Sequence, residues 1–472
     1  MHRITETDTQ RVFDFFEEIS QIPRISGSSG KIADYLESFA KSRGLFYKRD
    51  SNNNVIVRKS ATRGYENASA VIFQSHTDMV GDKVAGSNFD FQKDGVSLCY
   101  DGDFIRADGT TLGADDGIGM AYALAVLDSK DIEHPEIEAL FTSDEEIGLI
   151  GAAAFDTSEL HGRWLINIDS DEEGVFTVGC AGGERVDVSL PYKPDEVVDS
   201  VIKIKLSGLI GGHSGVEIDK GRENAIKILA EILSACDDLR ICDFSGGSAD
   251  NAIPSFAECA VLTHNRETLL RAIKKMKERI SNKEPSATFY IEDVEDETRS
   301  AYSIENSARI LEIVSDMPTG VYKMSEDIQG LVETSSNLGV VGVSGGRVTL
   351  AVSVRSSKNS EKSALCDRIF DIAKCFSAET SARGEYPAWE YKKDSELCDV
   401  MKRVYLDTFG REPTVMVIHA GLECGIFSQK IEGFDCVSLG PNGFDIHTTD
   451  ERLSISSTVR VYDYLIKVLK SI

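Results

Sequence analysis

Short apolar runs that end in acids or histidine constrain this chain most. AVIFQSHTD (70–78), EIEALFTSDEE (136–146) and GRWLINIDSDEEG (162–174) share one design. Each is a strand-length stretch that breaks into a loop carrying carboxylates. NNVIVRK (53–59) reads as a further strand. Helical spacing of apolar residues marks VFDFFEEI (12–19) and IGMAYALAVLDS (118–129). It also marks SGSSGKIADYLESFAKSRG (26–44), with Ile32, Tyr35, Leu36 and Phe39 on one face. Strands alternating with helices predict an α/β layer around a largely buried sheet. Open sheets of this kind take ligands beyond the carboxyl ends of their strands, where these acids lie.

The texture changes near residue 190. VIKIKLSGL (201–209) alternates, which predicts a sheet with one wet face. NAIKILAEILSA (224–235), LLRAIKKMKERI (269–280) and ALCDRIFDIAKCF (364–376) read as helices. FAECAVLTH, ATFYIEDV and VTLAVSVRSS read as strands, and FSGGSADNAIP and VSGGR as turns. PTVMVIHAGLECGIF and FDCVSLGPNGFDIHT return to the first texture, and SSTVRVYDYLIKVL closes with a helix. The chain thus reads as an α/β domain, residues 1–189 and 386–472, interrupted by an α+β domain at 190–385.

Composition narrows the function. With 78 Asp plus Glu against 51 Lys plus Arg, the net charge is -27 and no basic stripe exists. Nucleic acid is excluded as a partner on that ground. The start, MHRITETDTQRVFDFFEEIS, has no long apolar stretch and does not read as a secretion signal. No run of about 18 apolar residues exists to span a membrane. Ten scattered cysteines without a C-x-x-C pair read as reduced thiols in a cytoplasmic protein. Five disulfides in an extracellular protein is the alternative.

The positions that carry chemistry lie where apolar runs end. His76 and Asp78, two apart, point the same way on a strand, so Asp78 could orient the imidazole. The plain alternative is a strand-end histidine held by a nearby acid. In GTTLGADDGIGMA, Asp115 lies among glycines at a helix start, where a carboxylate could bridge two metals; simple capping by Asp115 or Asp116 competes. Crowded acids in FTSDEE require a cation or a raised pKa. One of Glu145 and Glu146 could hold metal while the other acts as general base, or the stretch is a solvated turn. Asp169 and His447 complete a set of imidazoles and carboxylates that suits zinc, cobalt or manganese.

Further candidates lie apart from these. His213, in GLIGGHSG, could reach a substrate carbonyl or its oxyanion. Arg355 could clamp a carboxylate. Asn251 could donate to substrate or build the turn before Pro254. His419 and Glu423 could line a substrate pocket or act structurally. Ser214 does not fit G-x-S-x-G, and the glycine runs fit neither a P-loop nor a dinucleotide fingerprint.

QSHTDMV, GTTLGADDGIG, TSDEEIG, NIDSDEEG, GGHSG, NAIP, HAGLECG and the late His447 together resemble the dinuclear zinc aminoacylase and dipeptidase superfamily, the M20 metallopeptidases. The likeness runs over essentially the whole chain and is strongest to the cytosolic aminoacyl-histidine dipeptidases, or peptidase D. It implies a catalytic domain with a mixed central sheet, interrupted by an α+β lid that could also dimerise. It implies two divalent ions, zinc first with cobalt or manganese as alternatives. His76 and Asp169 would hold one ion, Glu146 and His447 the other, and Asp115 would bridge them. Asp78 would support His76. Glu145 would be the general base that activates a metal-bridging water, and His213 would stabilise the tetrahedral intermediate, in cis or from a partner subunit. Arg355, Asn251, His419 and Glu423 would meet substrate. One departure stands out: these relatives often carry asparagine after the bridging aspartate, where this chain has Asp116.

The expected reaction is hydrolysis of dipeptides, Xaa-His or broader, by a cytoplasmic homodimer. A tripeptide aminopeptidase or an N-acyl amino acid deacylase would share the same centre. An interaction protein on a decayed scaffold would lack a ligand or the base, and none is missing.

Overall fold

The structure, a computed structural model, describes residues 9–472, with positions 198 and 295–299 given by backbone alone. The polar start read at residues 1–8 lies outside the described residues. The chain divides into two compact units. One takes the residues up to Gly179 together with Tyr391–Val417 and Leu422–Ile472; the other takes Cys180–Glu390 and Ile418–Gly421.

The first unit is built on an eight-stranded mixed sheet. At its centre Val71–His76 runs parallel to both Ile137–Thr142 and Trp164–Asn167. Asp435–Ser438 continues the parallel set beside Trp164–Asn167. Val55–Lys59 is antiparallel to Ile137–Thr142, and Val175–Cys180 to Asp435–Ser438. Register explains the site: His76 pairs with Thr142, and Gln74 with Asn167. The three apolar runs therefore end at the same level, and the loops that follow them open on one side of the sheet. Helix Ala114–Asp128 is buried along nearly its whole length. Its residues Ile118 to Leu127 are apolar all round, as a helix enclosed by protein must be. Asp115 (φ -80°, ψ 108°) and Asp116 (φ -111°, ψ 39°) are not helical and kink its start, so the regular helix follows them close to the 118–129 expected from the sequence.

The second unit is a nine-stranded sheet in which every described pairing is antiparallel. Helices Ala225–Leu233, Arg266–Ile280, Ile304–Asp316 and Asn359–Cys375 contribute to its apolar core. The alternation in VIKIKLS follows directly. Ile202, Ile204 and Leu206 are buried among helix residues, while Lys203 and Lys205 face away.

The boundaries expected at 189/190 and 385/386 fall instead at 179/180 and 390/391. Strand Gly182–Pro191 is the reason: it pairs with Arg347–Ser356 and with Glu379–Tyr386, both in the second sheet. Residues 418–421 also go with the second unit, where the Ala181 N–H donates to the Ile418 carbonyl.

Candidate active site

Five segments of the first unit bring the acids and imidazoles together. Nε2 of His76 lies 2.8 Å from Oδ1 of Asp115 and 3.5 Å from Oδ1 of Asp169. The other oxygen of Asp115, Oδ2, lies 3.1 Å from Nε2 of His447. That same nitrogen is 3.0 Å from Oε1 of Glu146. Asp115 thus offers one oxygen to each imidazole. Its peptide bond to Asp116 is cis. Donor atoms of His76, Glu145 and Glu146 also lie within 4.8 Å of one another.

Asp78 is wholly buried. Its carboxylate accepts from Ser26 Oγ at 2.7 Å and from the backbone N–H of Glu145 at 3.0 Å and Glu146 at 3.3 Å. Oδ1 stands 3.5 Å from Nδ1 of His76. Asp78 therefore ties the imidazole to the loop that carries both glutamates. Asp116 is turned inward. It accepts from the His76 N–H at 3.2 Å and from the Gly119 N–H at 3.1 Å. The second bond is a helix-start contact of the kind capping predicts, made by Asp116 and not by Asp115.

Electrostatics follow from this crowding. Hydrogen bonds to Asp115 and Glu146 raise His447 to about 10. Burial works against the charged form of His76, yet Asp169, Asp115 and Asp78 drive its pKa well up. Burial, joined by Asp169, Glu423 and Glu146, holds Glu145 well above the usual carboxylate range. Burial, with Asp115 and Glu146, brings Asp169 to about 6. Burial and Asp169 push Asp116 well up. Asp78 goes the other way: burial opposes ionisation, but bonds from His76, Ser26 and the Glu145 N–H bring it to about 2.

The donor set fits a pair of divalent cations. Nδ1 of His76 faces the Asp78 carbonyl at 3.2 Å, which suits a proton on that nitrogen. In the neutral ring Nε2 then turns a lone pair toward two carboxylates, an arrangement a cation would reconcile. The separations of 2.8–3.5 Å resemble the edge of a tetrahedron, roughly 3.3 Å, whose centre-to-ligand bonds are about 2.0–2.1 Å. Nitrogen and carboxylate donors without thiolate suit zinc, cobalt or manganese. Donor atoms of His76, Asp116 and Asp169 form another such group, and a fourth, Glu136, Glu138 and His161, lies apart, with Glu138 already engaged by Arg58 and the N–H groups of His161 and Gly162.

The second unit carries a different cluster. Nδ1 of His213 accepts from the N–H of Gly215 at 3.1 Å and of Val216 at 3.3 Å, so its proton sits on Nε2. Burial and Arg355 lower its pKa. His419 meets Ser335 Oγ at 2.7 Å through Nε2. Burial, Arg355 and His213 bring it down to about 3. Arg355 donates to the Tyr386 hydroxyl at 2.8 Å, and its Nε has no protein partner. Asn251 is placed beside His213 because Ala252 pairs with His213 and the Asn251 carbonyl accepts from Ser214.

Residues 72–471 match the profile of peptidase family M20/M25/M40. The chain belongs to that family. Membership makes it a hydrolase. Its sequence is 35% identical over 483 aligned residues to the cytosol non-specific dipeptidase of Escherichia coli (strain K12), covering 100% of this chain and 99% of that one. The crystal structure of aminoacylhistidine dipeptidase from Vibrio alginolyticus matches with a TM-score of 0.90 at 34% identity, covering 100% of this chain and 99% of that one. Aminopeptidase PepT from Bacillus cereus shares the fold, with a TM-score of 0.58 at 18% identity over 98% of each chain.

Within this M20 chain, Glu423, read as lining a substrate pocket or acting structurally, is tied into the sheet of the first unit. It is 0% exposed, and Oε2 accepts from Gln74 Nε2 at 2.5 Å and Thr142 Oγ1 at 2.7 Å. Asn167 Nδ2 in turn donates to Gln74 Oε1 at 2.7 Å. Burial raises Glu423 to about 7. This polar ladder across the strands went unread in the sequence. Its signal was available: Gln74 and Asn167 interrupt VIFQSH and LIN, where a buried strand should be apolar. Arg24, Tyr386 and Glu451 were also passed over. Glu451 had a faint sign, lying four residues after His447; Arg24 and Tyr386 had none.

Proposed function

We propose that this chain is a metal-dependent dipeptidase with Glu145 as its general base. The division of Asp115 between His76 on one side and His447 with Glu146 on the other supports this most directly. In this reading His76 and Asp169 would hold one divalent ion and His447 and Glu146 the other, with Asp115 serving both. Bound there, such ions supply Lewis acidity toward water and toward the scissile carbonyl. Glu145 stays free of that task. It would take a proton from the attacking water and return it to the leaving amine. Asp78 fixes the loop from which Glu145 acts. His213, neutral and with its proton on Nε2, donates to the developing oxyanion. Arg355 takes the carboxylate end of the substrate, with Asn251 and the neutral His419 beside it.

Dipeptides are favoured over longer peptides and acyl amino acids because the two relatives alike over their full lengths are named dipeptidases. Their names differ in breadth, non-specific against aminoacylhistidine, so a Xaa-His preference is the finer part of the proposal. A cytosolic setting is supported by the Escherichia coli relative's name and by ten cysteines with no disulfide. Among the described residues no helix is long and apolar enough to cross a membrane. A homodimer is the remaining part of the proposal, and sedimentation would test it.

The deciding experiment is a substrate panel. Metal-stripped protein, reloaded separately with zinc, cobalt and manganese, is assayed on free dipeptides with and without C-terminal histidine, on tripeptides and on N-acetyl amino acids. Metal-dependent turnover of dipeptides is expected. Preferential turnover of tripeptides or acyl amino acids would replace the reading.

A further inference from the structure

Two buried charged residues outside the proposed ligand set grip the segments that carry it. Glu451 is 3% exposed. Oε2 accepts from the N–H of Leu112 at 2.7 Å and of Gly113 at 2.9 Å, and Oε1 from the N–H of Ala114 at 2.8 Å. Those three amides lead straight into Asp115. Arg24 is 2% exposed. Its Nη2 donates to the Gly113 carbonyl, on the same loop. Nη1 donates to the carbonyls of Thr77 at 3.1 Å and Asp78 at 2.9 Å, immediately after His76. The loop before Asp115 is thus held by its N–H groups from one side and by a carbonyl from the other. Gly113 allows this closeness: its φ is +71°, and a Cβ there would lie 2.6 Å from Arg24 Nη2 and 2.8 Å from Met79 Sδ.

Glu451 also belongs to the hairpin loop that carries His447. Strands Gly443–Phe444 and Arg452–Ser454 pair antiparallel, and His447 lies in the connection. His447 has φ +64°, a left-handed backbone that a non-glycine residue holds only when its surroundings fix it. Its side chain is 45% exposed, so packing does little to hold it. Glu451, at the buried end of the same loop, is the anchor. It fastens the hairpin to the loop of Asp115 through three charge-assisted bonds. Arg24 does the equivalent for the segments of His76 and Asp115.

We infer that Glu451 and Arg24 are positioning residues that set the spacing of Asp115, His447 and His76, and thereby the affinity for divalent metal. This rests on the metal reading proposed above. Outer partners of metal ligands carry about 10–100-fold in affinity. Glu451→Gln keeps the shape but puts an amide NH2 where one carboxylate oxygen accepted, so the loop of Asp115 loses one of its two acceptor oxygens and the charge behind them.

The test titrates metal-free protein with cobalt(II), following visible absorption and heat in parallel with the thermal midpoint. Wild type is expected to take two equivalents. Glu451→Gln should bind at least one of them about 10–100-fold more weakly. Asp435→Asn is the matched control. Asp435 is also a buried carboxylate, holding Ser395 Oγ at 2.6 Å and the Leu397 N–H at 3.1 Å, at a helix start that carries no member of the cluster. It should lower the midpoint and leave cobalt affinity as in wild type. If Glu451→Gln titrates like wild type, or if both variants lose affinity alike, the inference is overturned. Should Glu451→Gln fail to fold, Arg24→Lys, which keeps the charge and loses the fork, must show the same weakening or the inference falls. A wild type that takes no cobalt defeats the metal reading itself.

Discussion

Histidine is driven in opposite directions in the two units. In the first, Asp115 and Glu146 raise His447 to about 10. In the second, burial and Arg355 take His419 down to about 3. The surroundings account for this. The first cluster sets imidazoles among carboxylates with too few cations to balance them. The second sets neutral imidazoles near an arginine, and Glu217, the acid beside His213, is already engaged by Arg222 and Lys220. One region is short of positive charge and the other offers it. That contrast is what the proposed roles, a cation site in the first and a contact for an anionic substrate end in the second, would require.

The largest expected effect separates the acids within the first region. Glu145→Gln should lower kcat by about 10²–10⁴-fold and leave metal content unchanged, read by atomic absorption on the same sample. Turnover at the wild-type rate would remove Glu145 as base. Loss of metal together with activity would make Glu145 a ligand, and the distinction from Glu146 would collapse.

The second region yields next. Arg355→Met removes the charge proposed to meet the substrate carboxylate. A hydrogen bond to a charged group is worth about 1.5–3 kcal/mol, so kcat/KM should fall by about 10–100-fold. The comparison sharpens with a blocked substrate: a dipeptide amide, lacking the carboxylate, should be hydrolysed equally by wild type and Arg355→Met. Equal losses on both substrates would assign Arg355 to scaffolding through Tyr386.

How much of this contrast the sequence showed depends on distance along the chain. His76, Asp115, Glu145, Glu146 and Asp169 follow apolar runs or precede an apolar helix, and parallel register brings those ends level. Local pattern therefore made them candidates, each with a plain structural alternative, and the resemblance to M20 metallopeptidases implied their roles. His447 was harder, because its hairpin is fixed by Glu451 some 340 residues away in sequence from the amides it holds. Arg24 gave no sign because its three acceptors are backbone carbonyls, which no pattern of side chains reveals. Strand Gly182–Pro191 was placed in the wrong domain for a related reason: its alternation says strand, but only its partners say which sheet. Asp116 departs from the asparagine common in peptidase D relatives. Burial and Asp169 push its pKa well up, while both of its oxygens accept backbone N–H bonds, from His76 and Gly119.

The smallest expected effect concerns pH and tells metal-free from metal-loaded protein. His447 is raised from an ordinary value of about 6.5 to about 10. Its contribution to stability in the metal-free state is therefore complete below about pH 6.5 and lost as pH climbs through 10. Asp169, raised to about 6, works with the same sign at lower pH: the folded state holds its proton more tightly, and stability falls as pH rises from about 4 through 6. Asp78, at about 2, matters only in acid, where its contribution is lost as pH drops toward that value. Between pH 6.5 and 9 the metal-free midpoint should fall with pH through His447. The fall should be modest, because solvent screens a side chain that is 45% exposed. Metal replaces the proton on the imidazole, so the loaded protein should lack this slope, and binding should release protons. Scanning calorimetry with and without chelator reads the first, and titration in buffers of different ionisation enthalpy the second. Parallel pH profiles for the two states would mean that His447 is not where metal and proton compete, and the contrast with His419 would then concern burial alone.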